Sequence, residues 1–167
     1  MKKNINRNYL EIYSINELVE PECPSKEYVV NLIDPPDFQL NKFFYKTIGK
    51  KHRWVDRLIW TEKQWIGYTT NKNVKTYILK KAHDLVGYFE LIIHQENNEI
   101  EIAYFGILEE YHNKKLGSFL LTNAIKKSFM FSPKRVWVHT CSLDHKNALK
   151  NYLSRGMKIF KTETISI

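Results

Sequence analysis

Between Val74 and Leu108 three strand-like runs follow one another almost without pause: VKTYILKK, LVGYFELIIH and EIEIAYFGIL. They are rich in β-branched and aromatic residues, and only HD (83–84) and QENN (95–98) separate them, both good hairpin signals. Connections this short leave no room for a crossover, because parallel neighbours need a dozen or more residues between them. The chain is therefore committed to an antiparallel meander, and the remaining segments must pack on it.

After the meander the pattern predicts a helix from about Lys115 to Phe131, a strand RVWVHTC (135–141), a helix from about His145 to Ser154 and a last strand, MKIFKTETISI. Before it, YLEIYSI (9–15) and EYVVNLI (27–33) read as short strands. The two prolines of LIDPPDF (32–38) forbid a helix there. FQLNKFFYKTIGK (38–50) has helical spacing through Phe38, Phe43, Phe44 and Ile48, with Gly49 as a stop. Thr61 to Gln64 approximates a capping box opening TEKQWIGYTT. No repeat or low-complexity tract interrupts the chain. The expectation is one α/β domain over residues 1–167: a mixed, mostly antiparallel central sheet flanked by helices.

Composition narrows the function classes. With 167 residues, 43% hydrophobic and 26% charged, the chain can bury a core without staples and is not a disordered polymer. Its two cysteines, Cys23 and Cys141, suggest no disulfide framework, and a reducing cytoplasm is expected. MKKNINRNYLEIY lacks the apolar region of a secretory signal, and no apolar run approaches the roughly 20 residues that span a bilayer, so no membrane partner is expected. The formal net charge of +8 suits a phosphorylated ligand, nucleic acid or anionic lipid. The lysines are spread along the chain and no nucleic-acid motif accompanies them, so nucleic acid is not expected as the main partner.

The stretch YHNKKLGSFLL (111–121) follows the third run directly and opens a helix. Free N–H groups and the positive dipole end at a helix start form an anion site. Gly117 permits close backbone approach, Asn113 tolerates a left-handed turn, and Lys114 and Lys115 add charge. Neither G-x-x-x-x-G-K-[ST] nor G-x-G-x-x-G is present, which removes the P-loop and dinucleotide readings. HTCSLDH (139–145) offers His139, Cys141, Asp144 and His145 as metal ligands or a Cys–His pair, but no second Cys/His cluster exists and the spacing matches no standard zinc pattern. No metal is expected; Asp144 reads as a cap for the following helix.

In this setting EIEIAYFGILEEYHNKKLGSFLLTNAI resembles motif A of the GNAT superfamily, the acyl-CoA-dependent N-acyltransferases. That pattern is a strand, a short turn, then Arg/Gln-x-x-Gly-x-Gly/Ala and a helix; His112 to Ser118 occupy it, with His112 in place of the Arg or Gln and Lys115 in place of the first glycine. RVWVHTCSLDHKNALKNYLSRGMKIFK resembles motif B through Asn147, Ala148, Tyr152 and Gly156. The resemblance covers roughly Lys75 to the C-terminus, the first 70 residues corresponding in kind to the variable acceptor side. It implies acetyl-CoA and an amine acceptor as partners, with an acyl-transfer activity. Backbone of Phe105, Gly106 and Ile107 would pair with the pantetheine arm. Backbone N–H groups of His112, Asn113, Lys114, Lys115, Leu116, Gly117 and Ser118 would hold the pyrophosphate. Asn147 would lie near the arm, and Tyr152 near the sulfur as the acid that protonates the leaving thiolate.

An amine is protonated at neutral pH, so attack needs a base. Glu101 is the best candidate, six residues before Ile107 and on the same face by period two. Glu90, on the preceding strand, is the alternative base or an acceptor-binding residue. Trp54, Trp60 and Trp65, with Phe43, Phe44, Tyr45 and Tyr68, offer either helix packing or an aromatic wall that meets a charged amine by cation–π contact. The rival to an enzyme is a module of the same fold that binds acyl-CoA or a small ligand without turnover. The sequence specifies neither the acceptor nor an oligomeric state.

Overall fold

A computed structural model describes residues 2–167. The elements are β1 (Asn4–Ile12), a 3-10 turn (Ile15–Glu17), β2 (Tyr28–Leu32), α1 (Phe38–Gly49), α2 (Glu62–Thr69), β3 (Val74–Lys81), β4 (Asp84–His94), β5 (Glu99–Ile107), a second 3-10 turn (Glu109–Tyr111), α3 (Leu116–Phe129), β6 (Arg135–Cys141), α4 (Ala148–Ser154) and β7 (Lys158–Ser166). The seven strands form one sheet in the order β2-β3-β4-β5-β6-β1-β7. All neighbours are antiparallel except β5 and β6, so the sheet is the mixed, mostly antiparallel one expected.

Each face of the sheet carries its own core. α3 buries Leu116, Leu120, Leu121, Ala124 and Ile125 with Phe89, Leu91, Ile100 and Ile102. On the other face α1 buries Phe44 and Ile48 with Ile78 and Tyr88. Full burial of each leucine, isoleucine or phenylalanine among them contributes about 1.5–3 kcal/mol. A Cβ on Gly106 would stand 2.7 Å from the Ile48 side chain, so glycine here lets α1 close on β5. α1 starts at Asp37, whose carboxylate accepts from the Gln39 N–H, and α2 starts at the expected Thr61/Gln64 capping box.

Two irregularities make the cleft. Tyr104 stands opposite Glu90 and Ile102 opposite Leu91, so Ala103 is unpaired and forms a β-bulge. The bulge reverses the alternation along β5. Ile100 and Ile102 face the α3 core, and beyond the bulge Phe105 and Ile107 do, while Tyr104 faces the α1 core. Glu101 therefore does not share a face with Ile107 as expected; one inserted residue moves every later side chain to the opposite face. Secondly, β5 and β6 pair only over Glu99–Glu101. β5 runs on to Ile107 beside β4, and β6 runs on to Cys141 beside β1, so the two parallel strands part beyond Glu101.

Several boundaries differ from expectation. The first strand lies at 4–12 instead of 9–15. Its polar start is held by a side-chain ladder in which Thr162, Thr164 and Ser166 donate to Asn8, Asn6 and Asn4 at 2.8, 3.2 and 3.2 Å. It stops early because Ser14 caps the 3-10 turn by accepting from the Asn16 N–H. The helix expected from His145 starts at Ala148. Asp144 is not its cap: the carboxylate accepts from the Thr140 hydroxyl and the Cys141 N–H, closing the turn back onto β6.

Candidate functional site

The gap between β5 and β6 opens into a cleft of about 970 Å³. At one end lies the head of α3. Asn113 and Lys115 both hold left-handed backbone, at φ 63° and 60°. For a lysine this conformation costs about 1–2 kcal/mol relative to the right-handed region. Lys115 occupies the N-cap position and no side chain caps the helix, so its first N–H groups stay open toward the cleft. A Cβ on Gly117 would meet only Asn151 Nδ2 at 3.8 Å, so nothing in the protein requires glycine there. His112 anchors the loop by donating from Nε2 to the Ile107 carbonyl (2.9 Å). Leu116 gives its side chain to the core and leaves its backbone at the cleft. Ser118 donates its hydroxyl to the Lys115 carbonyl. Lys114 lies outside the cleft lining, exposed, with its ammonium 5.5 Å from the Tyr111 ring centre.

Phe105, Gly106 and Ile107 form the β5 wall, while Asn147 and Tyr152 approach from the α4 side. Tyr152 is only 6% exposed and packs near Phe105. Burial, reinforced by Asp144, raises its pKa, so the phenol keeps its proton at neutral pH. Glu101 also lines the cleft, on the face of β5 opposite the α3 core. His94 Nε2 donates to its carboxylate at 3.0 Å, and the His94 ring stacks near Trp137.

Glu90 is not in the cleft. Its carboxylate is 0% exposed and accepts from Nη1 of Arg57 with both oxygens at 3.0 Å. Burial opposes the charge on Arg57, and Glu90 with Tyr68 and Tyr104 outweighs it, so the guanidinium pKa is raised. A carboxylate sealed into such a pair cannot reach an acceptor, which removes Glu90 as a base. The same guanidinium answers the aromatic question. It lies 4.1 Å from the Tyr68 ring centre, 4.3 Å from Tyr104, 4.9 Å from Trp60, 5.4 Å from Tyr45 and 5.9 Å from Trp65. The cation in the aromatic cage is the chain's own; among the tryptophans of this region only Trp54 lines the cleft.

Three features were invisible to motif reading. His94 holds Glu101 but belongs to no motif; its register position beside Glu99 was the available signal. Arg57 comes from a turn-rich loop whose fold no local pattern dictates. His52, His145 and His112 gather at the cleft mouth, with ring centres 6.4 and 5.2 Å apart. Burial, then His112, His52 and Lys146, lower the pKa of His145. His139 and Cys141 share a strand face as expected, but among the described residues no group of three or more His, Cys, Asp or Glu side chains is placed to hold a metal.

The seven-stranded mixed sheet, with its parted parallel strand pair and an uncapped helix head beside the gap, shares its fold with solved acetyltransferases. Residues 35–157 match the family model described as "Acetyltransferase (GNAT) family", and the chain belongs to that family. Among solved structures, a GCN5-related N-acetyltransferase from Sphaerobacter thermophilus matches with TM-score 0.72 and 13% identity, over 99% of this chain and 52% of that one. A GCN5-related N-acetyltransferase from Kribbella flavida matches with TM-score 0.67 and 13% identity, over 96% and 56%. An aminoglycoside acetyltransferase from an uncultured soil metagenomic sample, solved with trehalose, matches with TM-score 0.66 and 12% identity, over 78% and 88%. The chain thus spans just over half the length of the first two, and at these identities the likeness is one of fold. No curated protein shows significant sequence similarity.

Proposed function

We propose that the chain is an N-acetyltransferase that moves an acetyl group from acetyl-CoA to a primary amine by direct attack. The observation that carries this is the cleft, where Tyr152 and Glu101 line one cavity with the uncapped head of α3. Backbone N–H groups from His112 to Ser118 hold the pyrophosphate, and the missing Cβ of Gly117 leaves room for it. Backbone of Phe105 to Ile107, free of β6, receives the pantetheine arm, with Asn147 beside it. Glu101, backed by His94, draws off the amine proton, and the Tyr152 phenol protonates the departing thiolate. We place the reaction in the cytoplasm, where Cys23 and Cys141, both free, stay reduced.

Calorimetry with acetyl-CoA tests the donor: absence of binding at millimolar ligand rejects the proposal. A thiol-release screen against primary amines tests turnover. The left-handed Lys115, standing where the family has a glycine, favours a second reading as a non-catalytic acyl-CoA-binding module. Tight binding without thiol release across the whole panel would establish that reading instead.

A further inference from the structure

His139 has a place in the cleft that neither a metal site nor a cysteine partner explains. β6 alternates without a bulge, with Val136, Val138 and Thr140 buried and Trp137, His139 and Cys141 half-buried on the opposite face. Glu101 is the last β5 residue in register with β6, opposite Trp137. His139 therefore stands on Glu101's face, one pleat repeat (about 6.6 Å) farther along, just where the strands have parted. It lines the cleft, its ring packs against Tyr9 at 5.5 Å, and its nitrogens make no hydrogen bond among the described residues. Glu101, by contrast, already accepts from His94.

Resting on the acetyltransferase reading, but replacing its direct transfer to Glu101, we infer that the imidazole of His139 is the first acceptor of the proton shed by the incoming ammonium, with the Glu101–His94 pair as the charge behind it. The groups facing His139 come from every neighbouring element. They are Arg7 and Tyr9 on β1, Glu101 on β5 with His94 behind it on β4, Cys141 on β6 itself, Asp144 in the next turn and Glu163 on β7. Asp144 is spent on its own turn, and Glu163 accepts from the Tyr9 hydroxyl at 2.7 Å and lies 3.6 Å from Arg7. Burial and then Arg7 push the imidazole pKa below its ordinary 6.5, against Glu101, Asp144 and Glu163. His139 is thus neutral at pH 7 and free to take a proton, and Glu101 stabilises the imidazolium that forms.

The protons balance. One passes from the ammonium nitrogen to His139 and on to solvent. The freed lone pair forms the N–C bond at the thioester carbonyl, and the C–S bond breaks. The thiolate takes the Tyr152 proton, and the phenol is restored by the second proton lost from the amide-forming nitrogen.

The test uses acetyl-CoA with the amine that the thiol-release screen finds turned over fastest. His139→Gln lowers kcat/KM at pH 7 roughly 100-fold, leaves acetyl-CoA affinity unchanged by calorimetry, and regains rate as pH rises toward the amine's own pKa. NMR of the imidazole C–H signals supplies a readout independent of turnover. The His139 midpoint lies below 6.5 in the wild type, and Glu101→Gln moves it lower still. His139→Gln with kcat/KM within about twofold of wild type at pH 7, or a His139 midpoint indifferent to Glu101→Gln, overturns the inference alone. Failure to bind acetyl-CoA overturns it together with the proposed function.

Discussion

Glu90 and Glu101 lie on the same face of neighbouring strands and sit in opposite chemical situations. Glu90 neutralises a guanidinium in a cage of five rings, and Glu101 looks into the cleft with one histidine behind it. Their neutral variants should separate cleanly. Glu90→Gln strands a buried cation and costs about 3–5 kcal/mol of stability, read from urea unfolding. Glu101→Gln leaves the unfolding midpoint nearly in place, lowers turnover and spares acetyl-CoA binding. Gly117 gives a second contrast. Because its missing Cβ faces open space within the protein, Gly117→Ala should fold as well as wild type, yet weaken acetyl-CoA by about tenfold, roughly 1.4 kcal/mol, when measured by calorimetry. Equal affinity would mean that the backbone does not approach a ligand there.

At the scale of elements, legibility followed how local the determinants are. β3, β6 and the capping box of α2 stood where the residues put them, because alternation and capping act within a few positions. Thr61→Ala should accordingly cost about 1 kcal/mol in thermal or urea unfolding and leave acetyl-CoA affinity unchanged. The start of β1 was not legible: asparagines disfavour strands, and here they pair across to β7, more than 150 positions away. Nor was the Ala103 bulge, which no glycine or proline announces. It cost the site reading its face assignment for Glu101, since a count by twos along one strand cannot see an unpaired residue opposite.

For the whole molecule, the titrating histidines give a pH signature. His139 and His145 both have folded pKa values below the ordinary 6.5. The unfolded chain therefore binds protons first as pH falls through 6.5, so stability is full above that value and declines below it. Thermal unfolding should show Tm dropping between about pH 7 and pH 5.5, and His145→Gln should remove part of that drop. A Tm unchanged over this range would contradict the two shifts. The sequence by itself determined the meander, the helix after it and the chain positions of the loop and tyrosine that motif spacing identifies, because these depend on short-range pattern. Only the tertiary structure decided which carboxylate faces the cleft. Whether Arg57 reaches Glu90, where β5 leaves β6, and which face a bulged strand presents are settled by long-range pairing. Charge burial then follows from that packing, and no single segment encodes it.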